Sequence, residues 1–261
     1  NKQELLKSFV KPKEEIVDIK EQLENVTIQK EQFEKINTLL EYTYKYQLST
    51  TIPTMTSVTK IKQMKNEQKD HEEEIRFNKP NFMREDKEDV ITATQKGTLI
   101  HLCMQRLDET KEYTLEKIQD LIEDLLKRKI ITEKEANSIN PYKVLEFTKS
   151  MIWKELKNAK KVYKERPFFI NIPAKEIYEE EIEDEILVQG IIDLYYINQD
   201  NEVILVDYKT DYVAKGKENE LVKKYISQLE LYKKALEESL QRKVDKIYIY
   251  SVYLGKEIEI A

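Results

Sequence analysis

Asp193, Asp207 and Lys209 are the side chains whose types and spacing point most directly to chemistry. The two aspartates lie almost symmetrically about Asn198-Gln199-Asp200-Asn201, a run of turn formers between two apolar segments, so an antiparallel hairpin would set them side by side. Cross-strand neighbours have Cβ atoms about 4.5 to 5.5 Å apart, and two carboxylates that close repel unless one is protonated or a cation lies between them. A divalent metal resolves that conflict. Lys209 follows Asp207 by two residues, which in a strand puts both on one face, and an ammonium beside a dicarboxylate metal site suits a hydrolase. The plain alternative is an exposed surface hairpin. Against it stand the surroundings of the acids, Gly190-Ile-Ile-Asp193-Leu-Tyr and Val203-Ile-Leu-Val-Asp207-Tyr, because strands this apolar are buried and buried acids need partners.

Three further residues are weaker signals taken singly. His101 ends Gly97-Thr-Leu-Ile-His101 on a predicted helix, where the glycine one turn earlier leaves space near the imidazole, but a lone helical histidine is more often a core or surface residue than a ligand. Gln228 and Tyr232, four residues apart on another predicted helix, share one face. The second histidine, His71, stands in the charged stretch Lys69-Asp-His-Glu-Glu and reads as solvated, and Cys103 reads as core.

The elements that must position these residues fall into a helical part and a sheet part. Apolar periodicity predicts a helix from 28 to 46, in which Phe33, Ile36, Leu39 and Leu40 recur, then a linker over Ser49 to Pro53. Ser57 can cap a short helix through Met64, with a surface loop over 65–79. Helices are predicted over 92–108, 114–129, 132–138 and 140–164; Thr132 with Glu135 makes a capping box, and Pro141 is a first-turn proline. After Pro167 the period changes, predicting strands over 168–172, 186–197 and 203–209, a helix from Glu218 to Gln241 and a strand from Lys246 to Tyr253. Lys154, Lys157, Lys160, Lys161 and Lys164 would share a helix face, as a solvated face or a phosphate track. Tyr42, Tyr44 and Tyr46 are expected to pack rather than to stack on bases.

Composition narrows the classes. The chain has 261 residues, 36% of them charged, with four glycines, two histidines and one cysteine. An average sequence has about 7% glycine and about 25% charge, so this chain lacks the glycine for most cofactor loops and is charge-dense like a helix-rich protein. One cysteine excludes an intrachain disulfide, a four-cysteine zinc site and an iron–sulfur cluster, and fits a reducing cytoplasm. No Gly-x-x-x-x-Gly-Lys-Ser/Thr occurs, so no nucleotide site is expected in this segment. No run approaches the roughly 20 apolar residues that span a bilayer, and residues 1–11 do not read as a signal peptide. The absent initiator methionine suggests a piece of a longer chain. A net charge of −6 and a pI near 5.4 argue against a free-standing nucleic-acid binder.

In order along the chain, Gly97 to His101, Gly190 to Asp193, Asp207-Tyr208-Lys209 and Gln228 to Tyr232 resemble the motifs of the RecB-type nucleases of the PD-(D/E)xK superfamily, and the resemblance covers about Ser57 to Ala261. Closer wording in Ser57-Val-Thr-Lys-Ile-Lys, Lys96-Gly-Thr-Leu-Ile-His101, Glu165-Arg-Pro-Phe168 and Asp207-Tyr-Lys-Thr-Asp211 resembles the AddA-type nuclease domains of bacterial helicase–nucleases. The resemblance implies a restriction-endonuclease-like α/β core, a mixed sheet flanked by helices, with a helix-rich N-terminal half. It implies a nuclease domain over 57–261 and, over 1–56, a helical linker from a preceding helicase region. Mg²⁺, with Mn²⁺ as a substitute, would be held by His101, Asp193, Asp207 and the Tyr208 backbone carbonyl. Asp193, Asp207 and Lys209 would be catalytic, and Gln228 and Tyr232 would support the site or the DNA strand. The implied setting is the bacterial cytoplasm and double-strand-break repair and recombination, with single-stranded DNA as substrate. The implied partners are the helicase portion of the same polypeptide and an AddB-type subunit. AddB-type subunits carry the four-cysteine iron–sulfur cluster that this chain lacks. The other reading is a catalytically silent module of the same fold that binds DNA or docks a partner chain, and the intact Asp193, Asp207 and Lys209 weigh against it.

Overall fold

The computed structural model describes residues 30–67, 91–178 and 182–260, and the chain divides into two units, Asn1–Thr51 and Ile52–Ala261. In the first unit, helix α1 (Lys30–Leu40) has no buried residue, and a 3₁₀ turn follows at Leu48–Thr50. The helix stops six residues short of the sequence expectation. Tyr42, Tyr44 and Tyr46, expected to pack, are exposed, the last two meeting edge to face with centroids 5.8 Å apart.

The second unit is an α/β structure. Its elements are β1 (Met55–Ser57), α2 (Val58–Glu67), α3 (Ala93–Arg106), α4 (Leu115–Lys127), α5 (Glu133–Ser138), α6 (Pro141–Phe147), α7 (Met151–Asn158), β2 (Lys161–Pro173), β3 (Glu185–Ile197), β4 (Val203–Lys209), α8 (Glu218–Leu240), β5 (Lys246–Ser251) and β6 (Lys256–Ile260). Local chemistry sets the helix starts. Thr92 with Gln95 and Thr132 with Glu135 form capping boxes, Thr114 and Ser150 cap α4 and α7, and Asn140 caps α6 with Pro141 in its first turn.

The expected helix over 140–164 is three elements. It breaks after Phe147 because Ser150 caps a new helix, accepting from the Trp153 N–H at 3.1 Å, and the Glu257 carboxylate accepts from the Met151 N–H at 2.5 Å. From Lys161 the chain is already β2, with Val162 and Tyr163 on its ladder to β3. The five lysines therefore share no helix face. Lys157 pairs with Glu112, Lys160 bonds Asn201 at 2.7 Å and Lys164 bonds Glu109 at 2.7 Å, so three of the five are taken up in structural contacts. The strand expected to run to Tyr253 ends at Ser251, and Gly255 turns the chain into β6 with φ +65°. His71 and most of the 65–79 loop lie outside the described residues.

The six strands among the described residues form one mixed sheet. β2 runs antiparallel along the whole of β3, from Pro173↔Glu185 to Lys161↔Ile197, and so occupies one edge of that strand. The other edge is shared: β1 pairs parallel with residues 187–189, and β4 pairs antiparallel with residues 194–197. Residues 190–193 lie in the gap between them. β4 continues parallel to β5, which pairs with β6. One side of the sheet carries an aromatic core built with α3 to α7, including Phe147, Trp153, Tyr208 and Tyr250. The other side packs α2 and α8 on Phe168, Ile192, Leu205 and Ile249. Between Ile192 and Leu194 the two-residue alternation slips by one, since Ile192 and Tyr195 face the second core while Leu194 and Tyr196 face the first. Asp193 stands at that slip. The β2–β3 pairing skips a step there, between Lys164↔Leu194 and Arg166↔Ile192, and the skipped β2 residue is Glu165, whose φ of +49° is a left-handed conformation inside a strand.

Candidate active site

The gap on the β3 edge is where the sequence-predicted residues meet. Continuing the β3–β4 ladder one step beyond Leu194↔Val206 would place Asp193 opposite Asp207, as the hairpin symmetry anticipates. The ladder stops there because β4 leaves β3, and the Tyr208 N–H donates instead to Asp193 Oδ2 at 2.8 Å. The N–H and C=O of one strand residue point to the same edge, so the Tyr208 carbonyl also faces Asp193 and not β5.

His101 reaches the site from α3. Its Nδ1 is 3.4 Å from Asp193 Oδ1, and its ring meets Tyr208 edge to face at 5.5 Å. One turn back, Gly97 lies so close to the end of β4 that a Cβ there would be 2.8 Å from Thr210 Oγ1, so the missing side chain is what lets α3 approach. Gly190 does the same at the other end of the gap. A Cβ there would be 2.6 Å from the Phe168 ring.

Asp207 is 1% exposed, and its two oxygens are served differently. Gln228 Nε2 lies 3.5 Å from Oδ1 and donates at 2.8 Å to the Tyr232 hydroxyl. Lys209 Nζ is 2.6 Å from Oδ2, but no donor is aligned for a hydrogen bond with that oxygen among the described residues. Burial pushes the Asp207 carboxyl up to about 6, against the pull of Lys209, and the charge of Asp193 adds to the rise. For His101, burial opposes protonation, yet the hydrogen bond and charge of Asp193 prevail and hold its pKa above the ordinary value.

The structure therefore brings together His101, Asp193, Asp207, Lys209 and, behind them, Gln228 and Tyr232. It adds Glu165, to which the sequence motifs give no role. Single ligand atoms of His101, Glu165 and Asp193 lie within 4.8 Å of one another. Burial and the Asp193 charge raise the Glu165 pKa. Its signal lies in the ladder: the pairs Lys164↔Leu194 and Arg166↔Ile192 bracket Glu165 and Asp193. Asp207, expected among the ligands, is not in that cluster; His101, Glu165 and Asp193 fit a hard divalent cation because two carboxylates from paired strands converge on one imidazole, and a cation would hold the acids ionised. The site opens on a cleft of about 1040 Å³ lined by Gly97, His101, Glu165, Lys209, Asp211 and Tyr225 among others.

Comparison with known proteins agrees with this geometry. A family model described as the PD-(D/E)XK nuclease superfamily matches residues 57–259. The chain is 37% identical to an ATP-dependent helicase/nuclease subunit of Clostridium novyi (strain NT) over 93% of its own length and 20% of that protein's. It is 36% identical to the same-named protein of Thermoanaerobacter sp. (strain X514), covering 99% of this chain and 22% of the relative. It is 37% identical to that of Clostridium botulinum (strain Hall), covering 100% and 21%. The chain thus spans about a fifth of the length of these relatives. With four motifs converging on one break in the sheet and a family match across most of its length, the chain belongs to the PD-(D/E)XK nuclease superfamily.

Proposed function

We propose that this chain is the metal-dependent nuclease domain of an AddA-type helicase–nuclease and hydrolyses phosphodiester bonds in single-stranded DNA. The observation that carries the reading is the cluster of His101, Glu165 and Asp193 beside the pair Asp207 and Lys209, 2.6 Å apart, with His101, Glu165 and Lys209 lining an open cleft. His101, Asp193, Asp207 and the Tyr208 carbonyl, joined by Glu165, would hold Mg²⁺, or Mn²⁺ in its place. The bound ion would neutralise charge developing on the phosphate and lower the pKa of the attacking water.

The chain's own residues supply the rest. Lys209 places an ammonium where the attacking oxygen or the phosphate oxygens gather charge. Gln228 steadies Asp207 Oδ1 and is itself held by Tyr232, which fixes the carboxylate from the α8 side. The relatives' names pair a helicase with a nuclease, and a helicase delivers separated strands, which supports single-stranded DNA as substrate. Residues 1–56 would then connect this domain to the motor, and an AddB-type subunit would complete the complex, in the bacterial cytoplasm, in break repair and recombination. The net charge of −6 fits this division, since DNA delivered by a motor needs little affinity from the nuclease itself.

The test is cleavage of a labelled single-stranded oligonucleotide with Mg²⁺, with chelator and with Asp207→Ala. The reading expects cleavage that chelation and the substitution both abolish. Binding without metal-dependent cleavage, with Asp207→Ala equal to wild type, would instead establish the catalytically silent module. Crystals soaked in Mn²⁺ should show anomalous density between His101, Asp193 and Asp207.

A further inference from the structure

Lys62 belongs to none of the four motifs, yet it stands beside the cleft wall that Tyr225 forms. Its ammonium lies 3.6 Å from the centroid of the Tyr225 ring, and the same ring has Lys209 Nζ at 4.4 Å and Lys224 Nζ at 5.4 Å. The ring is held in place through its hydroxyl, which donates to Asp211 Oδ2 at 2.7 Å. Two of the three ammoniums have carboxylate partners, Lys209 on Asp207 at 2.6 Å and Lys224 on Asp211 at 2.5 Å. Lys62 makes no ion pair with any described carboxylate; its close contact is the ring face.

The fold holds Lys62 there. The preceding strand β1 is pinned to β3 at Ser57↔Gln189, the Ser57 hydroxyl accepts from the Lys60 N–H at 3.3 Å, and Val58 and Ile61 are buried at 2% and 1% exposure. Burial, followed by the charges of Lys209 and Lys224, lowers the Lys62 pKa to about 8 against the smaller opposing pull of Asp211 and Asp207. A half-buried cation on an aromatic face, with two ammoniums near it and no described carboxylate in ion-pair contact, is one that an arriving anion would stabilise. Its neighbour on the ring, Lys209, pairs with Asp207, so the Tyr225 ring that lines the cleft links Lys62 to the reacting centre.

We propose that Lys62 is a positioning residue that binds the phosphodiester next to the scissile one on the DNA strand being cut, with the Tyr225 ring as its backing. The proposal rests on the nuclease reading above. A lysine is suited to this role because it acts on phosphate as a mobile point charge and needs no fixed fork geometry.

The experiment is steady-state cleavage of single-stranded oligonucleotides with Mg²⁺ by the full polypeptide that carries this chain, over a range of salt. Lys62→Gln is expected to raise KM about tenfold with kcat little changed. It should also make the dependence of log(1/KM) on log salt shallower by about 0.7, one phosphate contact on a single strand. Lys62→Arg should restore most of both, and Lys60→Gln, an exposed charge on the same helix, should match wild type. If Lys62→Gln leaves KM and salt slope unchanged while Asp207→Ala abolishes cleavage, the proposal fails and the nuclease reading stands. If Asp207→Ala cleaves like wild type, the nuclease reading itself fails. A fall in kcat at constant KM, or an effect confined to strands bearing a terminal phosphate, would also overturn the proposal.

Discussion

Behind Tyr208, the rings of Phe147, Trp153 and Tyr250 meet edge to face with centroids 4.8 to 5.7 Å apart; in front of it, one residue along the strand, Asp207 is just as buried and carries a carboxylate. Both places are withdrawn from water, but the aromatic core gains stability from its buried rings, offset in part by the Tyr208 and Tyr250 hydroxyls, which find no partner among the described residues, whereas the carboxylate loses hydration that a single ammonium and a long contact to Gln228 only partly replace. One region is built for the fold. The other is held in an unfavourable state by the fold, and the pKa of Asp207, pushed up to about 6, records that burden.

The sharpest way to separate the two regions is Asp207→Asn. Cleavage should fall about a thousandfold or more, since several kcal/mol of charge stabilisation depend on that carboxylate. The metal-free protein should at the same time melt higher than wild type above pH 6. The sign follows from linkage: the folded state binds a proton more tightly than the unfolded chain, so wild-type stability falls as pH rises from about 4 through 6, while the amide has nothing to titrate. Thermal melts at pH 4, 6 and 8 check this, and a gap that does not widen with pH would erase the contrast.

Ile118→Ala should do the reverse. Its side chain is fully buried in the core of the helical side, so unfolding free energy should drop by about 2 to 5 kcal/mol in denaturant titration, with kcat of the folded fraction retained. Gln228→Ala tests the borderline between the regions, and a loss of about 10- to 100-fold in activity or metal affinity is expected with little change in stability. An effect of similar size, on stability instead of activity, is expected for Gly97→Ala, at about 1 to 3 kcal/mol from the contact with Thr210. In a Thr210→Ala background that penalty should vanish, because the helix then gains the better helix former without the clash. A penalty that persists would mean that something other than the approach of α3 requires the glycine.

Much of this contrast is legible in the amino-acid sequence. The hairpin around Asn198 to Asn201 can be read because its turn residues are unmistakable: Asn198 Oδ1 accepts from the N–H groups of Asp200 and Glu202, and Asn201 takes the left-handed φ of +63°. The helix starts at Thr92, Thr114, Thr132 and Asn140 can be read because capping is local chemistry. What stays hidden depends on distant partners. β1 is three residues long and exists only because β3 offers it an edge. Lys161 to Lys164 follow a helical pattern, but their backbone is claimed by β3. Glu165 is one charge among many until the pairs on either side of it bring it to Asp193. Lys62 is equally silent, since its meaning lies in the ring of Tyr225, far along the sequence.

The pairing of Ser57 with Gln189 spans about half the chain, and it has a consequence in time. Ribosomes add about 5 to 20 residues per second, so β1 and α2 wait roughly ten seconds for their partner strand to be made. Closing so long a loop is also entropically late in folding. A growing chain that has already packed α3 to α7 has no Asp207, no sheet edge for β1 and no docked Lys62. The cutting site is therefore withheld until the last strands of the sheet have been synthesised, and an interrupted translation product carries no complete nuclease.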